Sequence, residues 1–478
     1  MRTAARDLGS PWFGALSGGM LEPMFSATVD EAALPVWARD RRLRQAEGRA
    51  ARERAPRRDL GRWNTVDDTR DAVAILLAQN AIRAEELLPV RNGRMAATPW
   101  TFYRGAAAVM AADLGSRPHS GLTVQLCGDA HLLNFGLWAT PERNLSFDLR
   151  DFDETLPGPF EWDVARLVAS IVVLARTYGV RADRAEAAVA ACLRTYRERM
   201  TGYTTARWLD IWYDLIAVDQ FLGVFTDPDK ISAAAYIERK ARKRTHSGAF
   251  RKFTEYRDGH LRITEDPPIR QHRADGLAEE LFAAYHDSLP DERRHLLDRF
   301  TLMDTVRQVV GVGSVGMRVH LALLVGRDRN DPLFLQIKQA APSVYEPCCG
   351  PSRYDNHGRR VVEGKRLVQS ATDIFVGWTA GRGHDYYVRQ FRDMKVIANG
   401  ELISPRLAEF ATACAKVLAR SHARTGDPVA ITAYIGKGRA FDEAMGAFAN
   451  AYADQTERDH RQLVDALAAG LLPGAPGW

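Results

Sequence analysis

The chain has 478 residues, 46% of them hydrophobic and 26% charged, the balance of a globular protein with room for two or three domain-sized units. A formal net charge of +5 suits an anionic ligand and falls well short of a nucleic-acid-binding chain. Five cysteines (Cys127, Cys192, Cys348, Cys349 and Cys414) are too few and too scattered for a disulfide framework, and no CxxC pair points to zinc. The N-terminal residues lack the continuous apolar run of a signal peptide, and no apolar stretch approaches membrane-spanning length. The expectation is a cytoplasmic protein with neither nucleic acid nor membrane as partner.

Residues 1–65 mix Gly, Pro and Arg, include the basic run Arg49–Arg58, and read as a loosely ordered N-terminal arm. From Asp67 the pattern is helical, with Val73, Ile75, Leu76, Leu77 and Ile82 at helical spacing, and a second helix is predicted over Gly105–Leu114. The period then changes: Leu122–Leu126, Phe135–Trp138 and Leu145–Leu149 read as short strands, the last two joined by a turn at Pro141–Asn144. Residues 160–300 read as mainly helical and carry the basic stretch Arg239–Arg244. Strands return from about Val306 to Lys338, helical patterning resumes, and a C-terminal helix carries Phe441, Met445, Phe448 and Tyr452 on one face. There are no internal repeats.

Two constellations carry chemistry. In the first, Cys127-Gly-Asp-Ala-His-Leu-Leu-Asn134 brings Asp129 and Asn134 into one short loop, and Asp148-Leu-Arg-Asp151-Phe-Asp153 follows at the end of a hairpin. Phosphoryl transfer needs such a set, a carboxylate for the acceptor proton and hard oxygen ligands for magnesium. One aspartate alone would read as a turn or cap residue; the ordered set points to function.

GDAHLLN resembles the catalytic loop of the aminoglycoside phosphotransferase and choline kinase branch of the kinase-like superfamily. RDFDE resembles the metal-binding Asp-Phe-Gly segment of kinases, with Asp153 in place of glycine, and Phe160-Glu-Trp-Asp163 resembles the helix that follows it. The resemblance implies that Asp129 is the catalytic base, that Asn134 and Asp151 bind magnesium, and that Asp163 steadies the loop. Cys127 departs from the pattern, which has His there. Asp148 and Asp153 compete with Asp151 as metal ligand.

In the second constellation Gly311-Val-Gly-Ser-Val-Gly316 fits GxGxxG, a weak signal alone. A dinucleotide loop must open a helix, but the residues after Gly316 read as a strand, then a turn at Gly326–Asp331, then a strand ending in Lys338. That order resembles the nucleotide-covering hairpin of kinases. It implies that Gly311, Gly313, Ser314 and Gly316 cover ATP and that Lys338 meets its phosphates and takes part in catalysis. A helix glutamate would pair with Lys338, Glu363 before Glu346. By itself Lys338 would be an ordinary strand-end lysine.

Kinases encode the glycine loop first; here it follows the catalytic loop. The expected fold is therefore α+β, kinase-like and two-lobed, circularly permuted with the old termini joined between about 280 and 305, an arrangement that surface termini allow. It comprises the arm (1–65), a helical lobe with the catalytic and metal loops (66–300), a β-rich nucleotide lobe (301–400), and C-terminal helices completing the helical lobe (401–478). Arg91-Asn-Gly-Arg-Met95, Phe102-Tyr-Arg-Gly105, GDAHLLNFG, FDLRDFDETLPGPFEWD, VVGVGSVG and LARSHARTGD resemble the bacterial family called domain of unknown function 2252.

The expected activity is ATP- and Mg2+-dependent phosphoryl transfer, with a small-molecule acceptor because the connection from Asp151 to Asp163 is too short to dock a peptide. AMP transfer to a protein and non-catalytic ATP sensing are the alternatives. Arg91, Arg94 and Arg104 are candidates for anionic substrate groups, although surface or ion-pair roles are commoner. His422 and Asp427 read as helix-end caps.

Overall fold

The computed structural model describes residues 39–63, 70–224, 239–241, 243–273, 275–396 and 398–475. Its contacts divide the chain after Asp40, and Arg41–Trp478 forms one unit of mixed α+β structure. It opens with helices α1 (Arg41–Arg54), α2 (Ala72–Asn80), α3 (Leu88–Ala96), α4 (Pro99–Gly105) and α5 (Ala107–Gly115). A capping box between Thr98 and Thr101 starts α4, with Pro99 in the first turn where its missing N–H is no loss.

Four short strands follow: β1 (Thr123–Leu126), β2 (Phe135–Ala139), β3 (Leu145–Leu149) and β4 (Leu156–Pro159). Antiparallel pairing joins β2 to β3 and β1 to β4. Helix α6 (Phe160–Thr177) then begins, and every residue from Phe160 to Ala175 is buried, as befits a helix running through the core. Beyond it lie α7 (Ala182–Tyr203), α8 (His246–Phe253), the hairpin β5 (Thr254–Arg257) and β6 (His260–Ile263), and α9 (Leu277–Tyr285).

Strands β7 (Arg270–Gln271), β8 (Thr301–Gln308), β9 (Val319–Val325), β10 (Pro332–Ala340), β11 (Gly377–Gly381) and β12 (His384–Gln390) form one sheet in the order β11-β12-β10-β9-β8-β7. Every pairing in it is antiparallel. The glycine loop therefore joins two antiparallel strands and opens no helix, which excludes a dinucleotide fold. Helix α10 (His357–Val368) lies between β10 and β11 in sequence, and α11 (Leu407–Thr425), α12 (Pro428–Ile435) and α13 (Ala440–Ala468) follow the sheet. Helix α11 packs on α7, and α13 on α6. Phe441, Met445, Phe448 and Tyr452 are buried, as their spacing predicts.

Alternation along β10 gives its two faces different work. Leu335 and Ile337 cluster with Leu277, Leu281 and Tyr285 of α9. Gln336 and Lys338 face the other way, opposite Arg389 and Tyr387 of β12. On that second face α10 lies against β11 and β12, while Ala249, Phe253, Leu261 and Ile263 cover Val306, Leu321, Leu323 and Phe334. Residues 246–297, expected within the helical region ending at 300, thus pack on the sheet.

The N-terminal arm also differs from expectation. Residues 1–38 and 64–65 lie outside the described residues, but the basic run within 41–58 is not a solvated tail. Arg44 pairs with Asp427 at 2.5 Å, and Arg52 and Arg57 donate to the carbonyls of Ala433, Tyr434 and Ile435. These last carbonyls of α12 have no partner within their own helix, so arginines supply one.

His320 of β9 stands opposite Ile337 in register and is buried, with Nε2 unpartnered. Burial is the main reason its imidazole drops from 6.5 to about 4; Arg307 adds to the drop and Asp275 opposes it. A folded value below the unfolded one contributes stability above pH 6.5 that is lost as pH falls through about 4. Denaturant titrations across that window should show an acid loss on the order of 3 kcal/mol, absent in His320→Gln.

Candidate active site

Two strand registers assemble the site. Opposition of Phe135 to Leu149 puts Asn134 beside Arg150, and the Arg150 amide donates to the Asn134 carbonyl at 3.0 Å. Opposition of Leu126 to Leu156 brings the 127–134 loop alongside 151–155. At Gly128, φ is +84° and a Cβ would collide with the Glu154 carbonyl, so only glycine fits this close approach.

Asp163, fully buried in the first turn of α6, accepts from the amides of Cys127 at 2.8 Å and Gly128 at 3.0 Å. His422 of α11 reaches the same carboxylate at 3.4 Å and is bonded through Nδ1 to Tyr196 at 2.7 Å. His422 is thus no helix cap. It supplies from a distant segment a histidine beside the loop, while the Cys127 thiol stands 3.6 Å from Asp163. Asp427 does cap α12, through the Val429 amide.

Asp129 Oδ1 accepts from Arg166 Nε at 2.8 Å, and His131 Nε2 lies 3.6 Å from Oδ2. Burial pushes the Asp129 carboxyl above the ordinary range, with Arg166 opposing it. Arg166 stacks its guanidinium on Tyr103 at 3.8 Å and donates to the Tyr103 carbonyl. Sequence reasoning missed this residue, although Asp163 and Arg166 are spaced to share one helix face, which the loop meets. Asn134 Nδ2 donates to the Asp129 carbonyl at 2.6 Å, fixing its side chain within the loop.

The three competing aspartates separate cleanly. Asp148 is wholly buried and saturated: Arg420 at 2.5 Å, Ser370 through N–H and hydroxyl, and the Leu149 amide. Asp153 gives Oδ2 to Lys338 and Oδ1 to the Tyr387 hydroxyl at 2.8 Å. Asp151 alone keeps a buried carboxylate oxygen with no hydrogen-bond partner, 3.9 Å from Lys338 Nζ. Burial pushes Asp151 up, but Lys338, Arg389, Arg150 and Lys395 outweigh it and hold the carboxyl well below the ordinary range.

Lys338 does not meet Glu363, which pairs with Arg366 one turn along its own helix at 3.1 Å. Nor does it meet Glu346, which accepts from the Ser343 amide. Helix α10 instead presents Arg360, whose buried guanidinium binds the carbonyls of Asp153, Thr155 and Ala341 at 2.7–2.8 Å. The clamp ties the end of β10 to the aspartate segment. Glu154 joins it through the Val344 amide, and burial pushes its carboxyl up to about 7.

The glycine loop is stitched down. Arg83 donates to the carbonyls of Gly313 and Val315, Arg94 to that of Gly311, and the Ala84 amide to that of Gly316. Ser314 takes part through its carbonyl, which accepts from the Met317 amide. Among the three candidate substrate arginines, Arg91 is buried against Asn80, Gln79 and the Gly105 carbonyl, and Arg94 holds the loop. Arg104 is different: its Nε is buried without a partner, and its charge is felt at Asp129.

The 127–134 loop, the aspartate segment and the strand lysine thus lie together in a mixed α+β chain. Residues 83–466 match the family described as "Uncharacterized protein conserved in bacteria (DUF2252)", and the chain belongs to it. No curated protein and no solved structure matches the chain.

Asp148→Asn should leave the Arg420 charge buried without its counter-ion and lower the unfolding free energy by about 3–5 kcal/mol. Denaturant titration checks this, and an unchanged midpoint would refute the structural role of Asp148.

Proposed function

We propose that this chain is an ATP- and magnesium-dependent phosphotransferase with a circularly permuted, kinase-like, two-lobed fold, acting on a small-molecule acceptor. One observation carries the reading: Lys338 meets Asp153 and Asp151 although 185 positions separate it from Asp153 in inverted order. A single triphosphate can touch a strand lysine and a metal-binding aspartate only where they share a cleft.

The donors fit magnesium. Asp151 offers an unpartnered carboxylate oxygen, and Asn134 is tied into the adjoining loop. Among the described residues no three His, Cys, Asp or Glu side chains form a metal cage. Magnesium bound by one or two protein oxygens together with substrate phosphates needs none. When bound, it would neutralise charge on the phosphates. Asp153, already shared by Lys338 and Tyr387, is the weaker ligand.

In this reading Asp129 takes the proton of the acceptor hydroxyl as the phosphoryl group leaves ATP. Arg166 fixes one carboxylate oxygen of Asp129, leaving the other for the acceptor, and the burial that raises its proton affinity suits a base. Lys338 exchanges Asp153 for the phosphates. Arg104 is available to the transferred group or to an anionic acceptor. The small acceptor is supported by the chain between Asp151 and Asp163, which is taken up by β4 and the first turn of α6 and leaves no platform for a peptide.

Thermal shift with Mg-ATP tests the reading. Ligand at 100 times its Kd adds about 2.7 kcal/mol to stability. Asp129→Asn should keep this shift and lose turnover, while Asp151→Asn and Lys338→Met should lose the shift. No shift with any purine nucleotide and magnesium would overturn the proposal. The apolar part of the sheet face beyond Gln336 is covered by α8 and β6, so a base bound there requires α8 to withdraw. Hydrogen exchange over residues 246–263 is therefore expected to quicken with Mg-ATP.

A further inference from the structure

A small cleft, with room for about 50 Å³, opens where β12 and the residues after it meet the β2–β3 hairpin and the last turn of α10. Four cations line it: Arg150 at the end of β3, Lys365 on α10, Arg389 on β12, and Lys395 beyond it. Two carboxylates share the lining, and both are engaged. Asp373 accepts from the Gln390 amide, the Gln390 side chain and the Phe375 amide; Asp393 pairs with Arg143.

The cations are not equally engaged. Arg389 donates to the Gln336 side chain and the Arg150 carbonyl, and Arg150 uses Nε for the Leu133 carbonyl. No hydrogen bond or ion pair among the described residues holds the ammonium of Lys365 or Lys395, or the terminal nitrogens of Arg150. Burial pushes Lys365 down to about 8, and burial with Arg389 and Arg150 pushes Lys395 lower than an ordinary lysine. The free ends of these side chains reach the cleft and not a protein partner, and like charges gathered in one lining repel one another unless a ligand brings the opposite charge.

We propose that this cleft binds the phosphate dianion of a phosphorylated ligand, held by Lys365, Lys395 and the free end of Arg150, with Arg389 as a fixed positive wall. Three sets of unused donors reach it from three elements, which suits the several oxygens of a phosphate better than the two of a carboxylate. The cleft has room for a phosphate group and is open to solvent on one side, and Trp138 on β2 lines it beside the charged groups, an apolar neighbour for the organic group that carries the phosphate. Arg150, one of the cleft's donors, directly precedes Asp151 in the chain, so the anion site adjoins the proposed metal ligand. Two sources share this chemistry, the tail of the nucleotide and a phosphorylated acceptor. The site itself does not depend on the phosphotransferase reading.

Inorganic pyrophosphate without divalent metal is the probe, titrated calorimetrically into the full chain. Binding is expected in the wild type and at least tenfold weaker in Lys365→Met and Lys395→Met. Both variants replace an unpaired ammonium by an apolar group of similar length, and their melting temperatures should equal or exceed the wild type, showing that they fold. Competition between pyrophosphate and Mg-ATP identifies the nucleotide tail as the source; simultaneous binding identifies a phosphorylated acceptor. Pyrophosphate binding with no Mg-ATP binding at all would remove the kinase reading and leave the anion site standing. Absence of pyrophosphate binding to the wild type, or undiminished binding in both lysine variants, overturns the proposal.

Discussion

The Lys338 side chain is 1% exposed, and an ammonium at that depth requires carboxylates within reach. It finds them on a segment encoded far upstream. This contact fixes the spacing between the sheet and the β3–β4 connection, because both partners sit on backbone that strand pairing holds rigid. Lys338 lies in the middle of three hydrogen-bonded strands, between Val319 and Tyr387. Asp151 and Asp153 lie between two hairpin-like pairings that start at Leu149 and Leu156. Arg360 then binds the backbone on both sides of the junction, so the ion pair does not bear the load alone.

Chain order becomes secondary once that junction exists. Helices α6 and α7 precede the sheet and α11 and α13 follow it, yet α11 packs on α7 and α13 on α6. The core is closed by segments from both ends of the chain, and the loop that carries Asp129 is held from both. Asp163 comes from the early part, His422 from the late part, and they meet at one carboxylate. A chain that relied only on local contacts could not tolerate such a split.

Much of this was legible because it follows from order and period. The strand after Gly316, the hairpin that returns Asp151 to Asn134, and the buried stripe on α13 all follow from alternation or helical spacing. The rotation of α10 did not. Spacing places Arg360 and Glu363 on one side of the same helix, and only packing decides which of them meets the aspartate segment. Arg166 was legible in principle, since Asp163 anchors the loop and a residue three positions on shares its face. His422 was not, because its meaning depends on a contact with Asp163 across 259 positions. The basic run of α1 was misread for a related reason: arginines that cap another helix's carbonyls look like solvated arginines until the partner helix is known.

The sheet's inner face shows why the charges sort as they do. Beyond Gln336 the face is apolar and covered by α8 and β6, so no charge is needed there. At Lys338 the carboxylates outweigh burial and keep the ammonium charged. At Lys365 and Lys395 burial wins: Asp373 opposes it at Lys365 and Asp151 at Lys395, while Arg389 adds to it at both and Arg150 at Lys395. The same side chain thus sits in two environments a short way apart, one paired with carboxylates and one set among other cations without an ion-pair partner. Asp151 lies between them, drawn below its ordinary range by cations on both sides. That makes it the one aspartate of the three with both a free oxygen and a strong reason to stay ionised, the two properties a cation ligand needs.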